Sequence, residues 1–254
     1  QQLADMMTDK ATVEMESPVT GTIVEIGGDV GDVIAIGSTR VVIETAQEED
    51  KTAPPPEVLA ESAISVKSDL AGEDTVVFEK LSNIRLPIAS LTKLMTAIVV
   101  LDNYNLSHKI TVSQKADAQD PMKVDVKAGD EMPVESFLKI MLIGSSNKSA
   151  YTLAEQTGIE KFVGQMNYKA KEIGMKNTYY ADPTGLSAQN ISTASDLVKL
   201  SKYILKNYPK ISEISRLQEL YVPGFGTISN TDQLLGEISE VVCSKTGFTT
   251  QAKG

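Results

Sequence analysis

Apolar residues recur with different periods in the two parts of the chain. Between residues 20 and 44, short β-branched stretches alternate with glycine-containing turns, which is the pattern of successive β-strands. From residue 89 onward, apolar residues fall at helical spacing, and the stretch 89–101 is apolar nearly all round, which predicts a buried helix. The strands that these patterns predict are 20–26, 33–36, 40–44, 62–66, 75–79 and 241–246.

Four more helices are predicted after the buried one, and local signals mark their ends. Pro133 lies in the first turn of one helix and Gly174 follows the end of another. Thr193 and Asp196 have the spacing of a capping box. The four helices are 134–143, 147–156, 159–173 and 194–207. Strands, then helices, then a strand indicate an α+β fold in which an antiparallel sheet carries a helical insertion.

Charge is distributed unevenly and indicates two modules. Residues 1–63 contain 13 acidic and 3 basic side chains, which accounts for the whole net charge of −10. The stretch 46–58 is charged and then contains three consecutive prolines, a composition typical of an extended linker. We therefore divide the chain into an all-β segment at 1–45, an acidic and proline-rich linker at 46–58, and a larger domain at 59–254.

Composition excludes several classes of function. The single cysteine, Cys243, cannot form an internal disulfide, and we expect it to have a packing role. The single histidine, His108, lies in a polar stretch and is expected at the surface, so neither a Ser-His-Asp triad nor a usual zinc site is predicted. We expect no metal, no membrane span, since there is no long apolar run, and no nucleic-acid partner, since the chain is acidic.

Three short motifs carry the candidate chemistry. Ser-x-x-Lys occurs at Ser90/Lys93, where it opens the predicted buried helix. Ser-x-Asn occurs once, from Ser145 to Asn147, and Lys-Thr-Gly occurs once, at residues 245–247, against about 0.1 expected by chance. The simpler alternative is that Ser90 and Asn147 cap helices and that Lys93 is a solvated charge.

Two further Ser-x-x-Lys matches are given no catalytic role. Ser136 and Lys139 both lie inside an ordinary amphipathic helix. The third match pairs Ser145 with Lys148, which we expect to be solvated.

The order of these motifs resembles the serine penicillin-binding protein family, and more closely the low-molecular-weight D-alanyl-D-alanine carboxypeptidases of the peptidase S11 type. The segments 87–97, 173–178, 182–186 and 245–250 are similar to that family as well. The resemblance covers about residues 60–254. It implies a β-lactamase/transpeptidase-like fold, peptidoglycan muropeptides as substrates, β-lactams as covalent inhibitors, and no cofactor for the peptidase domain.

The resemblance also implies a role for each motif residue at the centre of the reaction. Ser90 would be the nucleophile at the start of a helix, where the helix dipole favours developing negative charge. Lys93 lies on the same helical face and can act as base once burial and the nearby Lys245 lower its pKa. Ser145 would relay the proton to the leaving group. The oxyanion donors would be the backbone N–H groups of Ser90 and Phe248.

The remaining motif residues would bind the substrate. By the same resemblance, Asn147 would contact the substrate backbone amide, and Lys245 and Thr246 would bind its terminal carboxylate. Gly247 would let the substrate approach without a side-chain clash. No Glu-x-x-x-Asn lies between Ser145 and Lys245, so the deacylating glutamate of class A β-lactamases is not found and slow release of penicillin is predicted. Endopeptidase activity on cross-bridges remains open.

The first module resembles the C-terminal half of a lipoyl domain of the 2-oxoacid dehydrogenase acyltransferase type. The similarity lies in residues 8–14, 17–21 and 31–33, and in that family the lysine at the position of Lys10 carries lipoate. A lipoyl domain has two such halves, so the alternative is an unmodified surface lysine. A second function follows, namely a carrier module whose penicillin-binding fold is an inactive passenger or scaffold.

The two resemblances imply different compartments. Peptidoglycan carboxypeptidases work in the cell envelope or periplasm, whereas a lipoyl domain implies the cytoplasm, and the first residues do not resemble a signal peptide. The carboxypeptidase family continues into further strands beyond Lys-Thr-Gly. We therefore expect a domain shortened at its C-terminus, with an incomplete sheet.

Overall fold

The structure is a computed structural model of the chain. It describes the strands 2–7, 12–16, 22–26 and 41–44, and then residues 58–69, 73–122, 125–238 and 240–252. The chain divides into two compact units, Gln1–Glu57 and Val58–Gly254.

The first unit contains four described strands. They are β1 (Gln2–Met7), β2 (Thr12–Glu16), β3 (Thr22–Ile26) and β4 (Val41–Glu44). β1 pairs with β2 and β3 pairs with β4, both antiparallel. The strands predicted at 20–26 and 40–44 are present, and β1 and β2 were not predicted. The strand predicted at 33–36 and Lys10 lie outside the described residues.

The second unit mixes helices with short antiparallel strand pairs. Its strands are β5 (Ala63–Ser68), β6 (Asp74–Lys80), β7 (Leu86–Pro87), β8 (Lys109–Thr111), β9 (Glu131–Pro133), β10 (Ile191–Ser192), β11 (Glu219–Val222) and β12 (Gly226–Ser229). Its helices are α1 (Thr92–Asn103), α2 (Gln114–Asp117), α3 (Val134–Ile143), α4 (Asn147–Glu155), α5 (Ile159–Ile173), α6 (Ala194–Asn207) and α7 (Pro209–Ser215). The pairs are β5–β6, β7–β10, β8–β9 and β11–β12. The predicted α+β class is confirmed.

Helix α1 forms the centre of the core. Every residue from Thr92 to Val100 is buried, and α3, α4 and α5 pack around the helix. The prediction of a buried helix is therefore confirmed. The α-helix begins at Thr92 because the preceding turn, Ala89–Leu91, is a 3₁₀ helix and Ala89 has a φ of 45°.

The predicted helix ends agree with the capping residues. α5 ends at Gly174, whose φ of 83° is the left-handed conformation that glycine adopts without strain. Thr193 caps α6 because its side chain accepts a hydrogen bond from the backbone N–H of Asp196. Pro133 lies just before α3 rather than in its first turn, and its extended backbone directs the chain into the helix.

Three features of the second unit differ from the sequence predictions. The strand predicted at 241–246 is absent, because no described strand pairs with that segment and the segment is held by side-chain contacts instead. The short helices α2 and α7 and the short strands β7, β8, β9 and β10 were missed. The hairpin β11–β12 was also missed, although Pro223 and Gly224 form its turn.

The described residues show neither a membrane helix nor a metal cluster. No helix within the described ranges has the length and apolarity that a membrane span requires. Within the same ranges, no group of three or more His, Cys, Asp or Glu residues is arranged to hold a metal ion.

Candidate active site

The segment around Ser90 is fixed from both sides. β7 leads into it and pairs with β10, and the backbone N–H of Ile88 donates to the carbonyl of Asn190 at 3.0 Å. On the other side, Gly185 lies directly against the backbone of Ala89 and Ser90, since a Cβ there would be 2.0 Å from the Ala89 carbonyl oxygen. Ser90 is thereby held at the entrance to α1 while remaining partly accessible.

Lys93 is completely buried and makes three polar contacts. Its Nζ lies 2.8 Å from the Oγ of Ser90, 2.7 Å from the Oδ1 of Asn147 and 2.6 Å from the carbonyl oxygen of Thr184. These partners come from the 3₁₀ turn before α1, the start of α4 and the loop after α5. The amine is therefore fixed within hydrogen-bonding distance of the Ser90 hydroxyl.

The surroundings of Lys93 favour its neutral form. Burial holds the pKa of Lys93 well below the usual lysine range, and the positive charge of Lys245 lowers it further. Asp182 and Asp125 act in the opposite direction but with smaller effect. A neutral lysine next to a serine hydroxyl can act as a general base.

The Ser-x-Asn motif lies at the N-terminus of α4. Ser146 caps the helix by accepting a hydrogen bond from the backbone N–H of Ser149, and its hydroxyl donates to Asp125 at 2.5 Å. Ser145, one residue earlier, has a φ of 58°. This turn directs Asn147 toward Lys93, and the Asn147 Nδ2 donates to the carbonyl of Asp120 at 3.0 Å.

Lys245 connects the C-terminal segment to α4. Its Nζ lies 3.0 Å from the Oγ of Ser145 and donates to the carbonyl of Thr246 at 2.7 Å. Burial lowers the pKa of Lys245 to about 8. The segment is held by a contact between Ser244 and Asp232 and by a 2.6 Å hydrogen bond between the hydroxyls of Thr246 and Thr231.

Gly247 and Phe248 follow in the same segment. A Cβ on Gly247 would lie 3.3 Å from the backbone nitrogen of Ser90 and 3.1 Å from the carbonyl oxygen of Ile88. Glycine at this position therefore allows a close approach of two segments of the protein itself. Phe248 is 74% exposed, and the oxyanion role of its backbone N–H stays a prediction.

The structure joins five of the predicted site residues in two separate hydrogen-bonded groups. Ser90, Lys93 and Asn147 share one hydrogen-bond network, and Ser145 and Lys245 form the second contact. Asn147 was predicted to bind substrate, which stays a prediction; its Oδ1 accepts from Lys93, its Nδ2 donates to the carbonyl of Asp120, and it is 6% exposed. Its observed contacts make it a residue that orients Lys93.

One prediction near the site is wrong. Lys148 was expected to be solvated, but it is 9% exposed and its Nζ lies 2.6 Å from the Oδ1 of Asp117. The reason is that α2, which was not predicted, packs against α4 and supplies this carboxylate. Ser136 is buried within α3, and Lys139 pairs with Glu135 at 3.4 Å.

The two singly occurring residue types lie where the sequence indicated. His108 is exposed. Cys243 packs against the core and accepts a hydrogen bond from the hydroxyl of Ser215 at 3.3 Å.

Sequence reasoning missed four residues that shape the site, all in the loop after α5. They are Asp182, Thr184, Gly185 and Asn190. The segment 182–186 had been recognised as similar to the carboxypeptidase family, but no role was assigned to it. The contacts of this loop with Lys93 and Ala89 run through the backbone of Thr184 and Gly185, and backbone groups leave no signature in residue spacing.

Comparisons with known proteins agree with this arrangement. The D-alanyl-D-alanine carboxypeptidase (Peptidase S11) family model matches residues 49–254, and a family model of biotin-requiring enzymes (Biotin_lipoyl) matches residues 1–43. The chain is 33% identical over 207 residues to the D-alanyl-D-alanine carboxypeptidase DacF of Bacillus subtilis, covering 76% of this chain and 52% of that protein. It is 35% identical over 216 residues to the D-alanyl-D-alanine endopeptidase of Escherichia coli, covering 79% and 67%. The chain thus spans about half the length of the Bacillus relative.

Solved structures show the same fold. The D-alanyl-D-alanine carboxypeptidase of Mycobacterium tuberculosis superimposes with a TM-score of 0.70 at 30% identity, covering 80% of this chain and 78% of that one. Penicillin-binding protein D2 of Listeria monocytogenes, in a cefotaxime-bound form, gives a TM-score of 0.69 at 29% identity, covering 78% and 83%.

The α+β fold and the paired serine–lysine contacts define the class of penicillin-binding, transpeptidase-like proteins. Within that class, the match over residues 49–254 is decisive. The chain belongs to the peptidase S11 family of D-alanyl-D-alanine carboxypeptidases. The attachment of lipoate to Lys10 stays a prediction, because Lys10 lies outside the described residues.

Proposed function

We propose that the second unit is a serine-type D-Ala-D-Ala carboxypeptidase that acts on peptidoglycan stem peptides through an acyl-enzyme on Ser90. The observation that carries this proposal is the geometry of Lys93. A neutral amine has two N–H groups and one lone pair. The carbonyl of Thr184 and the Oδ1 of Asn147 can only accept, so they take the two N–H groups. The lone pair then faces the Ser90 hydroxyl.

The first half of the reaction follows from this arrangement. Lys93 removes the proton from Ser90 as its Oγ attacks the carbonyl carbon of the terminal peptide bond. Backbone N–H groups of Ser90 and Phe248 receive the negative charge that develops on the carbonyl oxygen. The tetrahedral intermediate collapses, the peptide C–N bond breaks, and Ser145 relays the proton that Lys93 took from Ser90 to the departing D-alanine nitrogen, which leaves Lys93 neutral again. The peptide remains bound to Ser90 as an ester.

The second half removes the peptide. Water attacks the ester carbonyl, Lys93 accepts a proton from that water, and Ser90 leaves with its hydroxyl restored.

Lys245 supplies positive charge beside Ser145, which suits the free carboxylate of a C-terminal substrate. Because peptidoglycan lies outside the cytoplasmic membrane, we propose that the second unit acts in the cell envelope.

A β-lactam would enter the same reaction and remain attached. Its strained amide acylates Ser90, but the leaving nitrogen stays tethered to the acyl group. The described site brings a lysine rather than a carboxylate to Ser90. We therefore expect slow hydrolysis of the adduct and covalent inhibition.

Intact mass after incubation with benzylpenicillin tests the proposal. We expect a single adduct on the wild-type protein and none on Ser90→Ala. Ser136→Ala is the matched control, since Ser136 opens a second Ser-x-x-Lys pair inside α3, and it should keep the adduct. A folded wild-type protein that forms no adduct, or an adduct that survives Ser90→Ala, would overturn the proposal.

The relatives include both carboxypeptidases and endopeptidases, so the substrate needs its own test. We expect release of free D-alanine from a pentapeptide that ends in D-Ala-D-Ala. Cleavage of a cross-linked muropeptide with no release from the pentapeptide would assign the chain to the endopeptidases instead.

A further inference from the structure

The loop that follows α5 is organised by a single carboxylate. Asp182 accepts four hydrogen bonds from residues just after it in the chain. Its Oδ1 receives the backbone N–H of Thr184 at 2.6 Å, the hydroxyl of Thr184 at 2.6 Å and the backbone N–H of Gly185 at 2.7 Å. Its Oδ2 receives the backbone N–H of Ser187 at 2.7 Å. The conformation of the turn therefore depends on this side chain.

This turn reaches both reacting groups of the site. The carbonyl of Thr184 points at Lys93, with 2.6 Å between oxygen and Nζ. The next residue, Gly185, has a φ of 91° and lies against the backbone of Ala89, where a Cβ would have no room. This one turn therefore holds the amine of Lys93 and packs against the peptide group that carries the backbone nitrogen of Ser90.

A second side chain anchors the same loop to α1. The Asn190 Nδ2 donates to the hydroxyl of Thr92 and to the carbonyl of Asp182, both at 3.0 Å. Its Oδ1 accepts from the backbone N–H groups of Ala181 and Asp182. The turn is therefore held at a fixed distance from the helix that carries Lys93.

We infer that Asp182 is a positioning residue for acylation: by fixing the Thr184 carbonyl and Gly185, it directs the lone pair of Lys93 at Ser90. This inference rests on the proposed function. Thr184 is 2% exposed, so solvent does not replace a misplaced carbonyl. Without that acceptor, an N–H group of the neutral amine could turn toward Ser90 and the lone pair away from it.

The charge of Asp182 affects the pKa of Lys93, and the pH dependence of acylation therefore gives a second, independent test. The charged groups that act on Lys93 are Lys245 from the C-terminal segment, Asp182 from the loop and Asp125 from the segment before β9. The remaining contacts on its Nζ come from neutral groups. Asp182 raises the pKa of Lys93, so its removal lowers that pKa and leaves the amine neutral at lower pH.

The test compares Asp182→Asn with wild type, measuring benzylpenicillin acylation against pH. We expect the first-order acylation rate to fall on the order of 10- to 100-fold, while the dissociation constant of the non-covalent complex changes little. We also expect the ascending limb of the pH profile to move to lower pH. A defect of folding alone would lower the amount of active protein and leave the limb in place.

The matched control is Asp130→Asn. Asp130 also accepts a backbone N–H in a turn, that of Lys127 at 2.8 Å, but it is exposed and makes no contact with the motif residues. This variant should retain the wild-type rate and pH profile. If Asp182→Asn does not fold, Thr184→Val removes the hydroxyl that donates to Asp182 and accepts from Leu186 but keeps the carboxylate, so we expect a smaller fall in rate with the limb unchanged.

The outcomes separate the two proposals. A wild-type protein that forms no adduct at Ser90 contradicts the proposed function itself. If benzylpenicillin acylates the wild-type protein, and Asp182→Asn has the same acylation rate and the same ascending limb as wild type, only the role of Asp182 is overturned. If Thr184→Val is the variant measured, an acylation rate equal to that of wild type likewise overturns only the role of Asp182.

Discussion

The Oδ1 of Asn147 accepts a hydrogen bond from Lys93 at 2.7 Å, and its Nδ2 donates to the carbonyl of Asp120 at 3.0 Å. The second contact fixes the orientation of the amide, because a carbonyl can only accept. Asn147 therefore presents an acceptor to Lys93 whatever the protonation state of the amine. This makes the Ser-x-Asn motif part of the machinery that prepares the base.

The first prediction concerns Asn147→Asp. A carboxylate at this position would raise the pKa of Lys93, because opposite charges favour the charged amine. We expect the ascending limb of the acylation profile to move to higher pH, with a loss on the order of tenfold at pH 7. Acylation by benzylpenicillin across the pH range is the measurement. Asn147→Ala, which removes the acceptor and adds no charge, should not move the limb upward.

Asn147→Asp and Asp182→Asn thus change charge beside the same amine in opposite directions. Limbs that move in opposite senses would locate the titrating group at Lys93. If both variants keep the wild-type limb, a group other than Lys93 controls acylation.

The second prediction concerns Gly185→Ala. A Cβ would lie 2.0 Å from the Ala89 carbonyl oxygen, and the φ of 91° is unfavourable for alanine. We expect the free energy of unfolding to fall by roughly 3 kcal/mol or more, combining backbone strain with overpacking, and acylation to be lost. Gly174→Ala is the matched control, because its φ of 83° carries the strain but nothing lies within 4 Å of its Cβ. Urea unfolding of both variants gives the comparison, and equal losses would contradict the close contact.

The third prediction concerns Lys245 and the pH dependence of stability. Its pKa is about 8 in the folded protein, against 10.5 for an unperturbed lysine. Between these values the unfolded chain binds more protons than the folded one, so the free energy of unfolding contributed by Lys245 rises with pH. We expect Lys245→Met to flatten this rise between pH 8 and 10.5 relative to wild type.

Chemical unfolding at several pH values measures the effect. Lys206→Met, which changes an exposed lysine near the end of α6, is the control and should keep the wild-type slope. A Lys245→Met profile parallel to that of wild type would show that the surroundings of Lys245 do not lower its pKa.

The local part of the site could be predicted from the sequence, and the long-range part could not. Ser90 and Lys93 are three residues apart on one helical turn, so their contact follows from helix geometry. Lys245 and Ser145 are 100 residues apart, and only the resemblance to a family brought them together. The role of Thr184 could not be predicted, because the group that contacts Lys93 is a backbone carbonyl that every residue carries.

The errors in the fold have the same origin. Residues 241–246 have strand-forming side chains, but a strand also requires a partner, and no described strand pairs with them. Helices α3, α5 and α6 were predicted with their observed ends because periodicity and capping are local signals. The position of α2, four residues long, depends on its packing against α4.

The last prediction concerns the ion pair that the sequence missed. Lys148 is 9% exposed and lies 2.6 Å from Asp117, whose side chain is 31% exposed, so removal of Asp117 leaves the Lys148 charge with little access to water. We expect Asp117→Asn and Lys148→Met each to lower the melting temperature, and the double variant to lower it by less than the sum of the two. Lys109 and Glu131, an exposed pair at 3.6 Å, give the control cycle, in which coupling should be negligible. Additive effects in the Asp117–Lys148 cycle would show that the pair does not stabilise the α2–α4 contact. Because α4 carries Asn147 at its start, Lys148→Met should also slow acylation of Ser90, whereas Lys109→Met should not.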